Sequence, residues 1–395
     1  MLQSPLRLVL LALSAFAVLL AGCKTAPTAP PSNTALPFDE AVAQATDGAL
    51  AQAAKLPAFL ANLEAKVAKR VAVLDPTLDA GTGQQTAGTQ RLDKAIADRI
   101  AARHEGTELL PFRSANLARA QLLVTGTLTR VGGNYVIDLA LTDIKSGSVL
   151  GQASAVALGQ GIDMSPLAYY RDSPVLTKDK VVDGYIRTSA TAAGGKADAV
   201  YLERIATASL INEANTLYNA EKYTEALGQY RSALASPAGE QLRVLNGIYL
   251  SNVKLGRIAE AETAFGRVVA LGITSNQLGV KFLFNPGSTE FWSDARISGQ
   301  YGMWLRQIAK EANAARACMD VVGHTSKTGT EGANDALSLR RAETVRQRLV
   351  AESAALGPRT KASGRGFREN IVGSGSDDAV DALDRRVEFR MVACG

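Results

Sequence analysis

Three consecutive segments with the alternation of β-strands limit most strongly how this chain can fold. They are QLLVTGTLTRV (121–131), NYVIDLALTDI (134–144) and SVLGQASAVAL (148–158), joined by Gly132-Gly133 and by Lys145-Ser146-Gly147. Short glycine-containing connections of this kind join antiparallel neighbours. The middle segment alternates strongly enough to leave one apolar face. The sequence therefore predicts a three-strand meander that packs one face against helices.

Helical and strand patterns precede this meander. In chain order they are a helix with Phe38, Val42, Ala45 and Leu50, a helix with Phe59, Leu60, Leu63 and Val67, a strand at VAVLDP (71–76), and a helix with Leu92, Ile96 and Ile100. Helices combined with an antiparallel meander give an α+β domain. We expect this domain to span residues 38–158.

The stretch 118–153, taken with VAVLD, resembles the periplasmic domain of CsgG-type, FlgO-type and LpoB-like outer-membrane lipoproteins. CsgG-type pores insert long hairpins, and each barrel strand needs about 9–11 alternating residues. The turns of this meander are too short for such hairpins. Residues 159–200 are long enough, but they carry Arg171, Asp172 and Lys178 without alternation. We predict a connector or an irregular appendage there, and no pore.

The first residues have the pattern of an export signal. Arg7 precedes an apolar run, and Leu20-Ala21-Gly22-Cys23 closes it. This ending resembles a bacterial lipobox, which implies a signal peptide at 1–22, cleavage before Cys23 and lipid on Cys23. In such lipoproteins Lys24 implies the outer membrane, facing the periplasm. An ordinary signal peptide with a chance cysteine is the alternative.

Residues 23–37 are rich in proline and alanine, which predicts an extended tether.

Residues 201–273 contain an internal repeat. When Ala226 is aligned with Ala261, Tyr230 matches Phe265 at a spacing near 34 residues. The pattern resembles a pair of tetratricopeptide units, although Asn252 replaces an expected apolar residue. The resemblance implies a short all-α helical module that packs on its neighbours or on an unidentified envelope protein. A helical linker without a ligand is the alternative.

The cysteines point to one disulfide. With Cys23 acylated, only Cys318 and Cys394 remain, and an exported chain with a residual pair most simply forms a bridge. Two buried free thiols are the alternative. Cys318 begins one predicted strand and Cys394 ends another, so antiparallel pairing of those strands would bring them together.

Residues 275–395 alternate between strand and helix patterns and end in the strand RRVEFRMVAC. This region resembles the OmpA-like C-terminal domain, which binds peptidoglycan. The residues that carry the resemblance are Gly323-His324-Thr325, Gly329, Asn334, Leu337-Ser338, Arg341-Ala342 and Arg385-Arg386-Val387-Glu388. The resemblance implies an α/β sandwich with a mixed sheet. The whole chain is thus predicted to be an α+β multidomain protein.

The resemblance also implies a site for the diaminopimelate of a peptidoglycan stem peptide. Arg341 falls on the family's binding arginine, which pairs with a carboxylate. Asn334, Leu337 and Thr325 match neighbouring positions, and Arg386 is a further candidate that could instead pair with Asp384 or Glu388.

Ser326 departs from this family pattern. It stands where the family has an aspartate, so the partner of the ligand's ammonium group is lost. Asp335 or Glu331 could replace that carboxylate. Weakened binding, binding of a differently decorated stem peptide, and no wall binding all remain open.

No catalytic, metal or cofactor site is predicted. His104 and His324 are the only histidines, and neither lies beside other residues at metal-ligand or nucleophile spacing. The formal charge of +5 is spread among acidic residues, which does not favour nucleic acid as a partner.

These patterns predict a non-catalytic lipoprotein that bridges the outer membrane and the cell wall while it recruits an envelope partner. An LpoB-like regulator of a peptidoglycan synthase and a structural part of a secretion or flagellar assembly are the alternatives. An export channel is disfavoured by the short hairpins.

Overall fold

The computed structural model describes residues 34–54, 69–285, 287–372, 375 and 380–394. The signal peptide, Cys23, most of the tether and the helix predicted from Phe59 to Val67 lie outside these residues. Within the described part of the chain, no helix combines the length and the apolar character that a membrane span requires.

Strands and helices alternate in the first half of the described chain. In order they are α1 (Phe38–Ala53), β1 (Arg70–Leu74), β2 (Leu78–Asp79), α2 (Ala87–Arg103), β3 (Thr107–Pro111), α3 (Ser114–Leu117), β4 (Leu122–Val131), β5 (Asn134–Asp143), β6 (Val149–Leu158), α4 (Ala168–Asp172) and α5 (Lys180–Ser189).

Helices dominate the second half. The elements are α6 (Ala199–Glu203), α7 (Ile205–Asn219), α8 (Tyr223–Leu234), α9 (Leu242–Lys254), α10 (Ile258–Ser275), β7 (Leu278–Val280), α11 (Ala295–Ser298), α12 (Tyr301–Ala314), β8 (Cys318–Gly323), α13 (Glu331–Glu352), a 3-10 turn (Ala354–Leu356), β9 (Thr360–Gly364), a second 3-10 turn (Val380–Leu383) and β10 (Val387–Val392).

The first sheet contains the predicted meander. Strands β4, β5 and β6 pair antiparallel, and Gly132 and Gly147 adopt φ values of 60° and 68° in the two connections. These left-handed conformations favour glycine. Strands β1 and β3 extend the sheet in parallel, in the order β3-β1-β4-β5-β6, and β2 pairs with β4. The α+β class predicted from the sequence is confirmed.

Helices cover both faces of this sheet. Helices α1 and α2 pack on one face, and α1 approaches so closely that a Cβ at Gly151 would collide with the carbonyl of Ala49. On the other face lie Val182 and Tyr185, which come from the segment predicted as a connector or an irregular appendage, together with Tyr201. This segment contains helices, and its side chains belong to the core on that face of the sheet.

Residues 205–275 form two helix pairs that pack side by side. Ala226 and Ala261 are buried at the helix contacts, and the rings of Tyr230 and Phe265 are fully buried. Tyr230 lies against α9 at Gly247, where a Cβ would collide with the ring. The burial of small and aromatic residues explains the repeat in the sequence, while its relation to tetratricopeptide units stays a prediction.

The second sheet has the order β7-β10-β8-β9. Strand β10 is antiparallel to both β7 and β8, and β8 is parallel to β9. Its core is continuous with that of the helix pairs. Trp304 on α12 illustrates this, because its indole N–H donates to the hydroxyl of Tyr249 on α9 at 2.8 Å.

The predicted disulfide between Cys318 and Cys394 is confirmed. Cys318 opposes Val392 in the antiparallel register of β8 and β10, and the Cα atoms of the two cysteines are 5.3 Å apart. The bridge closes a loop across a sequence separation of 76 residues. A loop of that length gives a stabilisation of about 4 kcal/mol in the chain-entropy description.

The buried carboxyl group of Asp75, next to β1, forms a hydrogen bond that connects the first sheet to α6. Asp75 is 9% exposed and accepts a hydrogen bond from the hydroxyl of Tyr201 at 2.6 Å. Burial raises the pKa of Asp75 from 3.8 to about 7, although Tyr201 and Arg243 act in the opposite direction. Burial also raises the pKa of Asp93 to about 7.

We expect Asp75→Asn to reduce the pH dependence of stability. Because the folded state holds this proton more tightly, Asp75 stabilises the fold fully below its unfolded pKa, and this contribution is lost as the pH rises through about 7. The free energy of unfolding, measured with urea at pH 5 and pH 8, should therefore differ less in the variant. Asp98→Asn, at an exposed residue paired with Lys94, is the control and should keep the wild-type difference. An unchanged difference in Asp75→Asn would contradict the assignment.

Candidate functional site

Five residues predicted from the sequence line one cavity in the C-terminal part of the chain. The cavity has a volume of about 200 Å³ and contains Thr325, Ser326, Asn334, Leu337 and Arg341 in its wall. Further wall residues come from the loop after β7, from the loop between β8 and α13, from the start of α13 and from the segment before β10. They are Phe284, Gly287, Trp292, Thr328, Ala333 and Arg385.

The loop from β8 into α13 is fixed by its own polar groups. Thr330 caps the helix by accepting a hydrogen bond from the Ala333 N–H at 3.4 Å. The amide nitrogen of Asn334 donates to the carbonyls of Thr328 and Thr330, at 2.6 and 3.0 Å. Gly329 has a φ of 83°, which favours glycine. Asn334 thus contributes to the site by shaping the loop that forms the rim.

Arg341 is held in one orientation. Asn334, Leu337 and Arg341 follow one another at three and four residues along α13, so they lie on the same face of the helix. Nε and Nη2 of Arg341 donate to the carbonyls of Ser288 and Asn285, at 3.1 and 3.3 Å. The guanidinium lies 4.9 Å above the ring of Phe284. The side chain is only 2% exposed, and it presents a fixed positive charge in the cavity wall.

Thr325 and Ser326 supply the hydroxyl groups of the cavity. Both are buried, with exposures of 1% and 4%. Thr325 Oγ1 has no hydrogen-bond partner among the residues that the structure describes. A buried hydroxyl without a partner costs about 1–3 kcal/mol, so a polar ligand or a water molecule in the cavity would stabilise it.

The structure places Arg386 outside this cavity. It donates to Glu388 Oε1 at 2.7 Å and to the carbonyl of Glu369 at 3.1 Å, so it fits the structural alternative considered for it. Its neighbour Arg385 lines the cavity instead. The two adjacent arginines therefore lie in different surroundings.

The two acids considered as replacements for the missing aspartate also lie elsewhere. Arg368 contacts Glu331 at 2.8 Å and Asp335 at 2.7 Å. Neither acid lines the cavity, and its described wall contains two arginines and no carboxylate.

A second polar cluster lies beneath the loop. The side-chain nitrogen and oxygen atoms of His324, Glu369 and Glu388 approach within 4.8 Å of one another, which is compatible with metal ligation. Arginines already neutralise the two carboxylates, since Arg390 contacts both and Arg386 contacts Glu388. Burial lowers the pKa of His324, which favours the neutral ring. The cluster is therefore better described as an ion-pair network that supports the loop.

Sequence reasoning missed Phe284, Trp292 and Arg385. The first two lie in the segment 281–293, whose described residues form no long strand and contain only the isolated β-bridge of Phe284 with Phe291. Such a segment has no periodicity that would assign its aromatic residues to a cavity. The signal for Arg385 was present in the Arg385-Arg386 pair, but choosing between them requires the direction of each side chain.

A comparison with protein families finds a match in this region. Residues 283–382 match the OmpA family. Similar solved structures include the peptidoglycan-associated lipoprotein from Burkholderia pseudomallei, with 25% identity over 28% of this chain and 88% of that one, and a TM-score of 0.24. The C-terminal domain of Helicobacter pylori MotB has 19% identity over 29% and 83% of the two chains, with a TM-score of 0.25.

A third similar structure is the LpoB C-terminal domain from Salmonella enterica, with 14% identity over 29% of this chain and 98% of that one, and a TM-score of 0.20. No protein with curated annotation matches the sequence significantly. The family match covers strands β8 and β9 of the second sheet, α13 and the residues around Arg341. The C-terminal part of the chain is therefore an OmpA-like domain.

Proposed function

We propose that this chain is an outer-membrane lipoprotein that binds peptidoglycan non-covalently through its OmpA-like domain. The observation that carries the proposal is the fixed guanidinium of Arg341 in a cavity of about 200 Å³, within the residues that match the OmpA family. We propose a binding role without catalysis, in the periplasm.

The proposed ligand is the stem peptide, whose diaminopimelate residue ends in a carboxylate and an ammonium group. The carbonyls of Asn285 and Ser288 accept hydrogen bonds from two nitrogens of the Arg341 guanidinium. Because these contacts fix Arg341 before the ligand arrives, a carboxylate would bind it at a low cost in conformational entropy. The buried hydroxyl of Thr325 is a suitable second partner.

The ammonium group has a weaker partner in this proposal. Ser326 offers a neutral hydroxyl, and Glu331 and Asp335 are engaged by Arg368. Without a carboxylate acceptor, the ammonium group keeps a hydrogen bond to a neutral oxygen but loses the attraction of an opposite charge. Weakened binding relative to a site with aspartate at this position is the outcome we favour among the three left open by the sequence.

Arg341→Ala should reduce binding to isolated sacculi. Loss of the charge-assisted contact removes about 1.5–3 kcal/mol, which corresponds to roughly a tenfold or larger loss of affinity. Sedimentation of the full-length protein with sacculi, measured over a range of protein concentrations, checks this. Arg340→Ala removes the adjacent exposed arginine of the same helix and should bind like wild type. Equal binding of Arg341→Ala and wild type would remove Arg341 from the site.

Ser326→Asp should strengthen binding to the same sacculi. The new carboxylate would pair with the ammonium group of the ligand and would also face Arg341 and Arg385 in the cavity wall. We expect the gain only for stem peptides that carry the free ammonium group, and Ser326→Asn serves as the uncharged control of similar size. If aspartate and asparagine change the affinity equally, the ammonium contact is not the missing interaction.

Lipid on Cys23 is the proposed anchor. Cys23→Ala should move the protein from the outer-membrane fraction to the soluble periplasmic fraction and abolish the incorporation of a labelled fatty acid, because several acyl chains together provide a stable anchor. Both Cys318 and Cys394 are used in the disulfide, so Cys318→Ala combined with Cys394→Ala is the control and should retain the label. A labelled Cys23→Ala protein would contradict the lipid anchor.

We further propose that the region 38–200 and the helix pairs of residues 201–273 recruit an envelope protein. The bounds of these two regions are those predicted from their composition and from the protein families that they resemble. The partner is unidentified, and crosslinking in the intact envelope followed by mass spectrometry would reveal it together with the wall contact. Absence of any crosslinked protein outside the OmpA-like domain would oppose the scaffold role.

A further inference from the structure

A second and larger cavity adjoins the one that contains Arg341. Its volume is about 780 Å³, and Trp292 and Arg385 line both cavities. We call it the junction groove and define it by Tyr170, Asp172, Tyr249, Val253, Lys254 and Trp304. A ligand that fills the smaller cavity and extends past Trp292 and Arg385 enters this groove.

Parts of the chain that are distant in sequence build the junction groove. Tyr170 and Asp172 lie on α4, Tyr249 and Val253 lie on α9, and Trp304 lies on α12. Only the last of these elements falls within the residues that match the OmpA family. The groove is therefore a property of how this chain packs its helix pairs against its OmpA-like domain.

The walls combine aromatic surfaces with fixed polar groups. Asp172 accepts from Lys254 Nζ and from the hydroxyl of Tyr218, both at 2.9 Å. Lys281 also lines the groove, and its Nζ donates to the carbonyl of Tyr170 at 3.1 Å. Aromatic rings offer apolar faces, while these polar groups have fixed positions and directions.

This composition fits a saccharide better than a purely apolar ligand. A pyranose ring has apolar faces formed by its C–H groups and a rim of hydroxyl and acetamido groups. An acyl chain would contact the rings equally well, but it would cover Asp172, Lys254 and Lys281 without offering them a hydrogen bond. A sugar would contact the aromatic rings through its C–H groups and the polar side chains through its hydroxyl and acetamido groups.

We propose that the junction groove binds the amino sugars of the same peptidoglycan molecule whose stem peptide enters the Arg341 cavity. The proposal rests on the proposed function. In a stem peptide, an alanine, a glutamate linked through its side-chain carboxyl group and a lactyl group separate diaminopimelate from the sugar, and together they span on the order of 10 Å when extended. A stem peptide held at Arg341 therefore brings its sugar to a neighbouring part of the surface, and the groove shares the wall residues Trp292 and Arg385 with the cavity.

Isothermal titration of the full-length protein in detergent tests this with two ligands. One is the disaccharide tripeptide released from sacculi by a muramidase, and the other is the same tripeptide with an acetylated amino terminus and no sugar. We expect wild type to bind the disaccharide form about tenfold more tightly, as one well-packed contact of about 1.4 kcal/mol would give.

Val253→Trp provides the matched variant. Val253 lies on the groove wall, is partly exposed, and takes no part in the Arg341 cavity, so a larger side chain there occupies the groove alone. The variant should bind the two ligands with equal affinity while it keeps the wild-type affinity for the tripeptide, which also shows that it has folded. Val392→Trp, at an exposed valine on β10, is the control and should keep the tenfold difference.

The outcomes separate this inference from the proposed function. If wild type binds both ligands equally, or if Val253→Trp keeps the tenfold difference, the groove does not bind the sugars, although the stem-peptide site stands. If neither ligand binds, the proposed function fails and the inference fails with it.

Discussion

The close approach of α13 to the second sheet is the constraint on which the site depends. A Cβ at Gly323 on β8 would collide with the carbonyl of Ser338, and a Cβ at Gly364 on β9 would collide with the Ser338 hydroxyl and the backbone of Leu339. Two glycines on adjacent strands thus allow the helix to lie directly on the sheet backbone. This position sets the height of Arg341 relative to the loop carbonyls that hold it.

The first sheet shows how much of the fold the sequence predicts. Local patterns sufficed for the meander of β4, β5 and β6, because alternation and glycine turns act between residues that are close in the chain. Strand β3 was missed. Its five residues, TELLP, do not alternate and end in proline, and they become a strand only through parallel pairing with β1 across α2. Parallel neighbours of this kind are set by tertiary contacts that a local pattern does not contain.

The candidate site, too, was predicted from the sequence only in part. Its helix residues, such as Asn334 and Arg341, were assigned by resemblance and share one helix face. The residues that complete the wall, Trp292 and Arg385, come from irregular segments whose side-chain directions depend on the folded loop. The junction groove was out of reach of sequence reasoning altogether, because it exists only where α4 and α9 meet the OmpA-like domain.

The order of the second sheet has a consequence for the way the chain matures. Strand β10 lies between β7 and β8, yet it follows both of them in the sequence. Because the chain is made from its N-terminus, β7 and β8 are present before β10 and have unpaired edges until β10 joins them, and such edges are prone to mispairing. The bond between Cys318 and Cys394 then locks the inserted strand in place. Completion of this sheet is thus a late step of maturation, at which thiol oxidation and strand insertion reinforce each other.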